Sequence, residues 1–175
     1  EPIYTEVWGV GKPGYQIVTQ DQKVGLATPQ KGVVVAPEHV LVKRLYGNAL
    51  LVKNAEGKFG ALNPDLTGRI PLTYANLEKF GDGLAISYAI ATREDGVVEI
   101  YDTTFASLVP KEKLRESFER GRAYAEGNPS GVAMTMLELC DIFDKLDPEH
   151  QAFTKAEVAG WRDVWTKYLA KLKGR

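Results

Sequence analysis

The chain has 175 residues, 44% hydrophobic and 26% charged, with 22 basic side chains against 23 acidic ones and a formal net charge of −1. That is the make-up of an ordinary globular domain, long enough to bury a core without help from a disulfide or a metal. The near-neutral balance provides no basic field for nucleic acid. Cys140, the only cysteine, excludes an intrachain disulfide, and apolar runs such as Val33-Val34-Val35-Ala36 are too short to cross a bilayer.

In chain order, Glu1-Pro2 stands where an unprocessed chain would carry Met, which leads to the expectation of a removed leader and an exported, periplasmic protein; the cytoplasm is the alternative. Trp8 reads as a cap on the first structural unit or as an exposed anchor. Gly9-Val10-Gly11-Lys12-Pro13-Gly14 has glycines and a lysine but lacks phosphate-loop spacing and a following helix, so it reads as a plain loop.

From there to about residue 106, short β-branched runs alternate with Gly, Pro, Asn and Asp, the grammar of strands and turns. The region also matches itself. Lys23-Val24-Gly25-Leu26 falls on Lys58-Phe59-Gly60-Ala61 at an offset of 35, and Pro37 after Val33-Val34-Val35 falls on Pro71 after Arg69-Ile70 at 34. Leu45 to Leu50 falls on Lys79 to Leu84, again at 34. A degenerate copy begins at Asp95, with Val98 or Glu99 in place of the glycine, and a leading partial copy ends at Tyr15-Gln16-Ile17-Val18. Units therefore run over about 23–57, 58–94 and 95–105. Gly25 and Gly60 are expected to allow a bulge or a close backbone approach. Asn63-Pro64-Asp65 and Gly81-Asp82-Gly83 are expected to turn the chain.

The last third reads as three helices. Pro110 suits a first helical position, and Leu114, Phe118, Tyr124 and Ala125 follow at helical spacing until Gly127-Asn128-Pro129 stops the run. Ser130 suits an N-cap for a second helix with Ala133, Met136, Leu137, Cys140 and Phe143 on one face. Thr154 and Glu157 form a capping-box pattern for a third, striped by Val158, Trp161, Trp165, Leu169 and Leu172. The fold expected is α+β: an N-terminal antiparallel β-repeat region over 1–106, followed by three C-terminal helices over 107–175 packed on it.

The repeat resembles the WG-repeat family of bacterial proteins, most clearly in Gly57-Lys58-Phe59-Gly60, Arg69-Ile70-Pro71, Tyr74 and Phe80-Gly81-Asp82-Gly83-Leu84-Ala85-Ile86. The likeness covers residues 23–102 and leaves the helical third untouched; the signature Trp is replaced by Val24 in one copy and Phe59 in the other. The resemblance implies a β-rich, non-catalytic binding surface, with no catalytic residues to carry over.

The residues themselves offer no catalytic constellation. His39 and His150 lack ligand-spaced partners, so neither a metal nor a cofactor is expected. The acidic stretch from Asp144 to Glu157 misses the calcium-loop pattern and reads as a capped turn between helices. Cys140 falls on an apolar stripe, as an inert thiol would. The leading expectation is a non-catalytic module that binds a protein partner, in its sharpest form an exported immunity or inhibitor protein neutralising a bacterial effector such as a toxin or cell-wall hydrolase. Turn residues Asn48, Asn63, Asp65 and Asp82 would then make the contacts. Two alternatives remain. One is an envelope scaffold holding a glycan or small ligand in an aromatic groove of Tyr46, Phe59, Tyr74 and Phe80; the other is a hydrolase using Cys140 or a carboxylate pair.

Overall fold

The computed structural model describes residues 3–8, 15–46, 49–63, 69–80, 88–105, 108–127 and 129–174, with side chains described in these ranges except at 3–8, 15–17, 46, 124–127, 129–132 and 150. Among the described residues eleven antiparallel strands form three sheets, and three helices follow. The first sheet holds β1 (Ile3–Trp8), β2 (Tyr15–Gln20), β3 (Lys23–Thr28) and β4 (Gly32–His39). The second holds β5 (Leu41–Tyr46), β6 (Ala49–Lys53), β7 (Phe59–Leu62) and β8 (Arg69–Tyr74), and the third holds β9 (Asn76–Phe80), β10 (Tyr88–Thr92) and β11 (Val98–Tyr101). The helices are α1 (Lys111–Gly127), α2 (Pro129–Phe143) and α3 (Lys155–Lys173). The α+β expectation matches this layout.

The internal similarity has a physical basis at two glycines. Val18 stands opposite Gly25 between β2 and β3, as Val52 stands opposite Gly60 between β6 and β7. The next strand then shifts register around each glycine. A Cβ on Gly25 would lie 2.4 Å from the Val35 carbonyl oxygen, and one on Gly60 would lie 2.7 Å from that of Ile70. Only glycine lets the following strand cross so closely. The pairs Val24–His39 and Leu26–Val35 recur as Phe59–Tyr74 and Ala61–Ile70, a constant offset of 35. Pro37 and Pro71 consequently sit one step apart in this register.

The third self-match is corrected by the structure. The partner of Leu50 in the next unit is Ala89, because Arg44–Leu50 recurs as Lys79–Ala89. Residues 81–87 between β9 and β10 lie outside the described residues. In the last unit Ala91 faces Glu99, which places Glu99 in the glycine position.

No further strand pairs with β11 among the described residues; the chain around the helices takes that place. Val109 N–H donates to the Ile100 carbonyl (2.8 Å), Val98 N–H to Lys145 (2.8 Å) and Asp147 N–H to Val98 (3.1 Å). An edge that would otherwise expose unpaired backbone is thereby closed.

Apolar side chains fill the spaces between layers. Leu26, Val35, Val42, Leu50, Val52 and Leu62 join the first sheet to the second. Leu51, Ala61, Ile70, Tyr74, Leu77 and Ala91 join the second to the third. Alternation along β6 sends Leu50 and Val52 one way and Leu51 the other, as the pleat requires. Phe80, Tyr88, Ile90, Val98 and Ile100 then meet Leu114, Phe118, Met136, Cys140, Phe143 and Trp165 from the helices. The helices thus form a fourth layer over the third sheet.

The capping box at Thr154 is present: Glu157 N–H donates to Thr154 Oγ1 (3.2 Å), and Thr154 N–H donates to Glu157 Oε2 (2.8 Å). Ser130, expected as an N-cap, lies inside α2, which starts at Pro129. Proline suits that first turn because its missing N–H would have had no helical partner.

Candidate functional site

Of the four turn residues expected to make contacts, Asn48, Asp65 and Asp82 lie outside the described residues. Asn63 is half-buried and donates from Nδ2 to the Thr104 carbonyl at 3.1 Å, so its amide fastens the end of β7 to the turn after β11. Of the four aromatics, Tyr46 belongs to β5 and its side chain is not among those described. Phe59 and Tyr74 are brought together as cross-strand partners at the seam between the second and third sheets. The Lys53 ammonium lies 4.8 Å from the centre of the Phe59 ring. Phe80 is buried on the other side of the third sheet, in the core shared with the helices. Phe80 therefore shares no groove with Phe59 and Tyr74.

Tyr74 instead anchors a polar network that sequence reasoning missed. Its hydroxyl lies 2.5 Å from Glu99 Oε2 and 2.6 Å from the Tyr101 hydroxyl. Arg93 reaches Glu99 (3.5 Å), Asp95 (2.9 Å) and Asp147 (3.0 Å), so the network ends on the residue capping the short 3-10 turn Pro148–His150. Burial first, then the bond to Glu99, pushes the Tyr74 phenol far above its usual range; burial likewise raises Tyr101. Both phenols stay protonated, and a protonated phenol is the donor that a buried carboxylate requires. The available signal was Glu99 itself, a carboxylate in a slot the other units give to glycine.

The reactive side chains have structural surroundings. Cys140 is fully buried, and burial pushes its thiol up to about 11, well away from a nucleophile at neutral pH. The Ser117 hydroxyl is buried 2.6 Å from that of Tyr88. Asp147 accepts from Glu149 N–H at 2.9 Å, so the stretch that echoed a calcium loop is a capped turn. Among the described residues no three His, Cys, Asp or Glu side chains gather as a metal ion would need.

An apolar recess lies on the helical layer. Trp161 stacks on Phe118 with centroids 4.1 Å apart and meets Phe153 edge-on at 4.6 Å. Trp165 meets Tyr168 edge-on at 5.9 Å. Trp161, Val164, Trp165 and Tyr168 line a cleft of 430 Å³, rimmed by Arg122 of α1 and by Lys167 and Lys171 of α3. Positions 161, 164, 165 and 168 follow the three- and four-residue spacing of one helix face. That face is wider than the core can cover, and Val164 is left 58% exposed at the mouth. Arg122 is paired with Glu119 at 3.2 Å and Lys167 with Asp163 at 2.6 Å. Such a recess can take an apolar side chain while its rim meets carboxylates. No family model, curated protein or solved structure matches this chain.

Proposed function

We propose that the chain is a non-catalytic protein-binding module whose contact face is the aromatic cleft on α1 and α3. The observation that carries this reading is Val164, exposed at the mouth of a cleft made by Trp161, Trp165 and Tyr168. Tryptophan, tyrosine and arginine are the residues that anchor protein interfaces, and rigid rings lose little side-chain freedom on contact. The cationic rim favours a partner that presents an apolar anchor flanked by carboxylates. In its sharpest form the module is an exported inhibitor of a bacterial effector such as a cell-wall hydrolase. The resemblance of residues 23–102 to the WG-repeat grammar supports a binding role over a catalytic one.

Affinity capture from an extract of the native bacterium, followed by reconstitution with the purified partner, tests the proposal. Val164→Glu alters an exposed position and is expected to leave Tm unchanged. It should weaken the reconstituted complex about 100-fold, the effect of losing one interface anchor. Equal affinity of the variant and the wild type for every partner would remove this face from consideration.

A further inference from the structure

The two seams of the β stack treat equivalent positions differently. At the second seam the buried Tyr74 hydroxyl is satisfied by Glu99 and Tyr101. The equivalent residue at the first seam is His39, which faces Val24 as Tyr74 faces Phe59. Its side chain is only 6% exposed, yet neither ring nitrogen has a hydrogen-bond partner among the described residues. The nearest carboxylate oxygen, on Glu38, stands 3.9 Å from Nε2, beyond hydrogen-bonding range. Buried polar groups without partners are rare in folded proteins and call for an explanation.

His39 opens onto a cleft of 270 Å³ between β4 and β8, walled by Val35, Val52, Leu62, Ile70 and Leu72. Arg69 stands on the same cleft and forms no ion pair with the described residues. A buried imidazole, a guanidinium without an ion pair among the described residues, and an aliphatic wall therefore converge on one space. We infer that this cleft binds a small monocarboxylate with an aliphatic tail: the carboxylate accepts from Arg69 and from the His39 N–H, and the tail lies against the valine, leucine and isoleucine wall. The space equals about nine waters at roughly 30 Å³ each, room for a six-carbon acid. Glu38 also faces the cleft and repels additional negative charge, which disfavours dicarboxylates. Arg69 is the charged half of the site because a guanidinium matches the two oxygens of a carboxylate.

Hexanoate is the probe. In a His150→Gln background, which leaves one histidine to observe, titration with hexanoate should shift the His39 ring resonances saturably and raise Tm. The carboxylate should also raise the pH at which the ring titrates, because an adjacent anion favours imidazolium. Arg69→Gln, at an exposed position, should keep the Tm of the ligand-free protein and bind hexanoate at least about tenfold more weakly. Hexanol, with the same chain and no charge, should bind at least about tenfold more weakly than hexanoate. Three results would each overturn the inference: no saturable shift at His39, equal binding of hexanol and hexanoate, or equal binding by the Arg69→Gln variant.

Discussion

A buried imidazole makes the stability of the stack depend on pH. Burial is the main cause holding His39 below its ordinary value of 6.5; Arg69 adds to it and Glu38 opposes it. Well above pH 6.5 the ring is neutral in both the folded and unfolded chain and contributes no slope. Below that value the unfolded chain takes up the proton first, so stability falls until the folded-state pKa is also passed. Urea unfolding between about pH 7.5 and about pH 5 should show stability falling with acidity, with a contribution from His39 of at most about 1.4 kcal/mol per pH unit. His39→Gln should flatten that slope. Asp95 is held low by Arg93, and Glu157 by the Thr154 N–H, so both carboxylates act in more acidic solution and leave the window clear. An unchanged slope in the variant would mean that the imidazole is not the group responsible. A histidine at position 39 is visible in the sequence, but its unsatisfied nitrogens are not, because they depend on which sheet lies across from it.

The repeat element is governed by whether a Cβ can stand where one strand crosses the next. Gly25 and Gly60 leave no room, since the carbonyl oxygens of Val35 and Ile70 would lie 2.4 and 2.7 Å from the new atom. Gly25→Ala and Gly60→Ala should each cost about 3 kcal/mol, because backbone, not a flexible side chain, must move. Glu99 holds the same slot in the last unit, where no following strand crosses among the described residues, so Glu99→Ala meets no clash. It should cost about 1–2 kcal/mol through the hydrogen bonds lost to Tyr74, Tyr101 and Arg93. Chemical denaturation ranks the three variants, and a Glu99→Ala cost matching the glycine variants would refute the distinction. The glycine pair was legible in the sequence because bulge, turn and strand are local, and the same holds for the Thr154 capping box and the apolar stripe of α3. Loop length was less legible. Leu84 matches Leu50 in composition, yet by pairing the equivalent of Leu50 is Ala89, because register follows hydrogen bonds across the hairpin. The supposed aromatic groove failed for a related reason. Phe80 and Tyr74 read alike in the sequence, but they lie on opposite sides of the third sheet, which only the stacking order decides.

At the scale of the molecule, each unit lends its last two strands to the next layer, β5 and β6 to the second sheet and β9 and β10 to the third. β5 follows β4 after one residue yet belongs to the second sheet, and β9 likewise begins the third. Layers linked in this way share both chain and core, so loss of one should weaken its neighbour. The helices matter most at the third sheet, where they cover the face bearing Tyr88, Ile90, Val98 and Ile100 and close the β11 edge with three backbone hydrogen bonds. A chain ending at residue 106 would expose that apolar face and leave the edge open, two conditions that favour aggregation over folding. The intact chain should unfold in one transition, with far-UV circular dichroism, which weights all layers, coinciding, in a Trp8→Phe background, with the fluorescence of Trp161 and Trp165 in the helical layer. The shortened chain should lose cooperative unfolding and gain binding of a hydrophobic dye. A sharp transition near the Tm of the intact protein would instead show that the β layers fold on their own and that the helices are an appended unit.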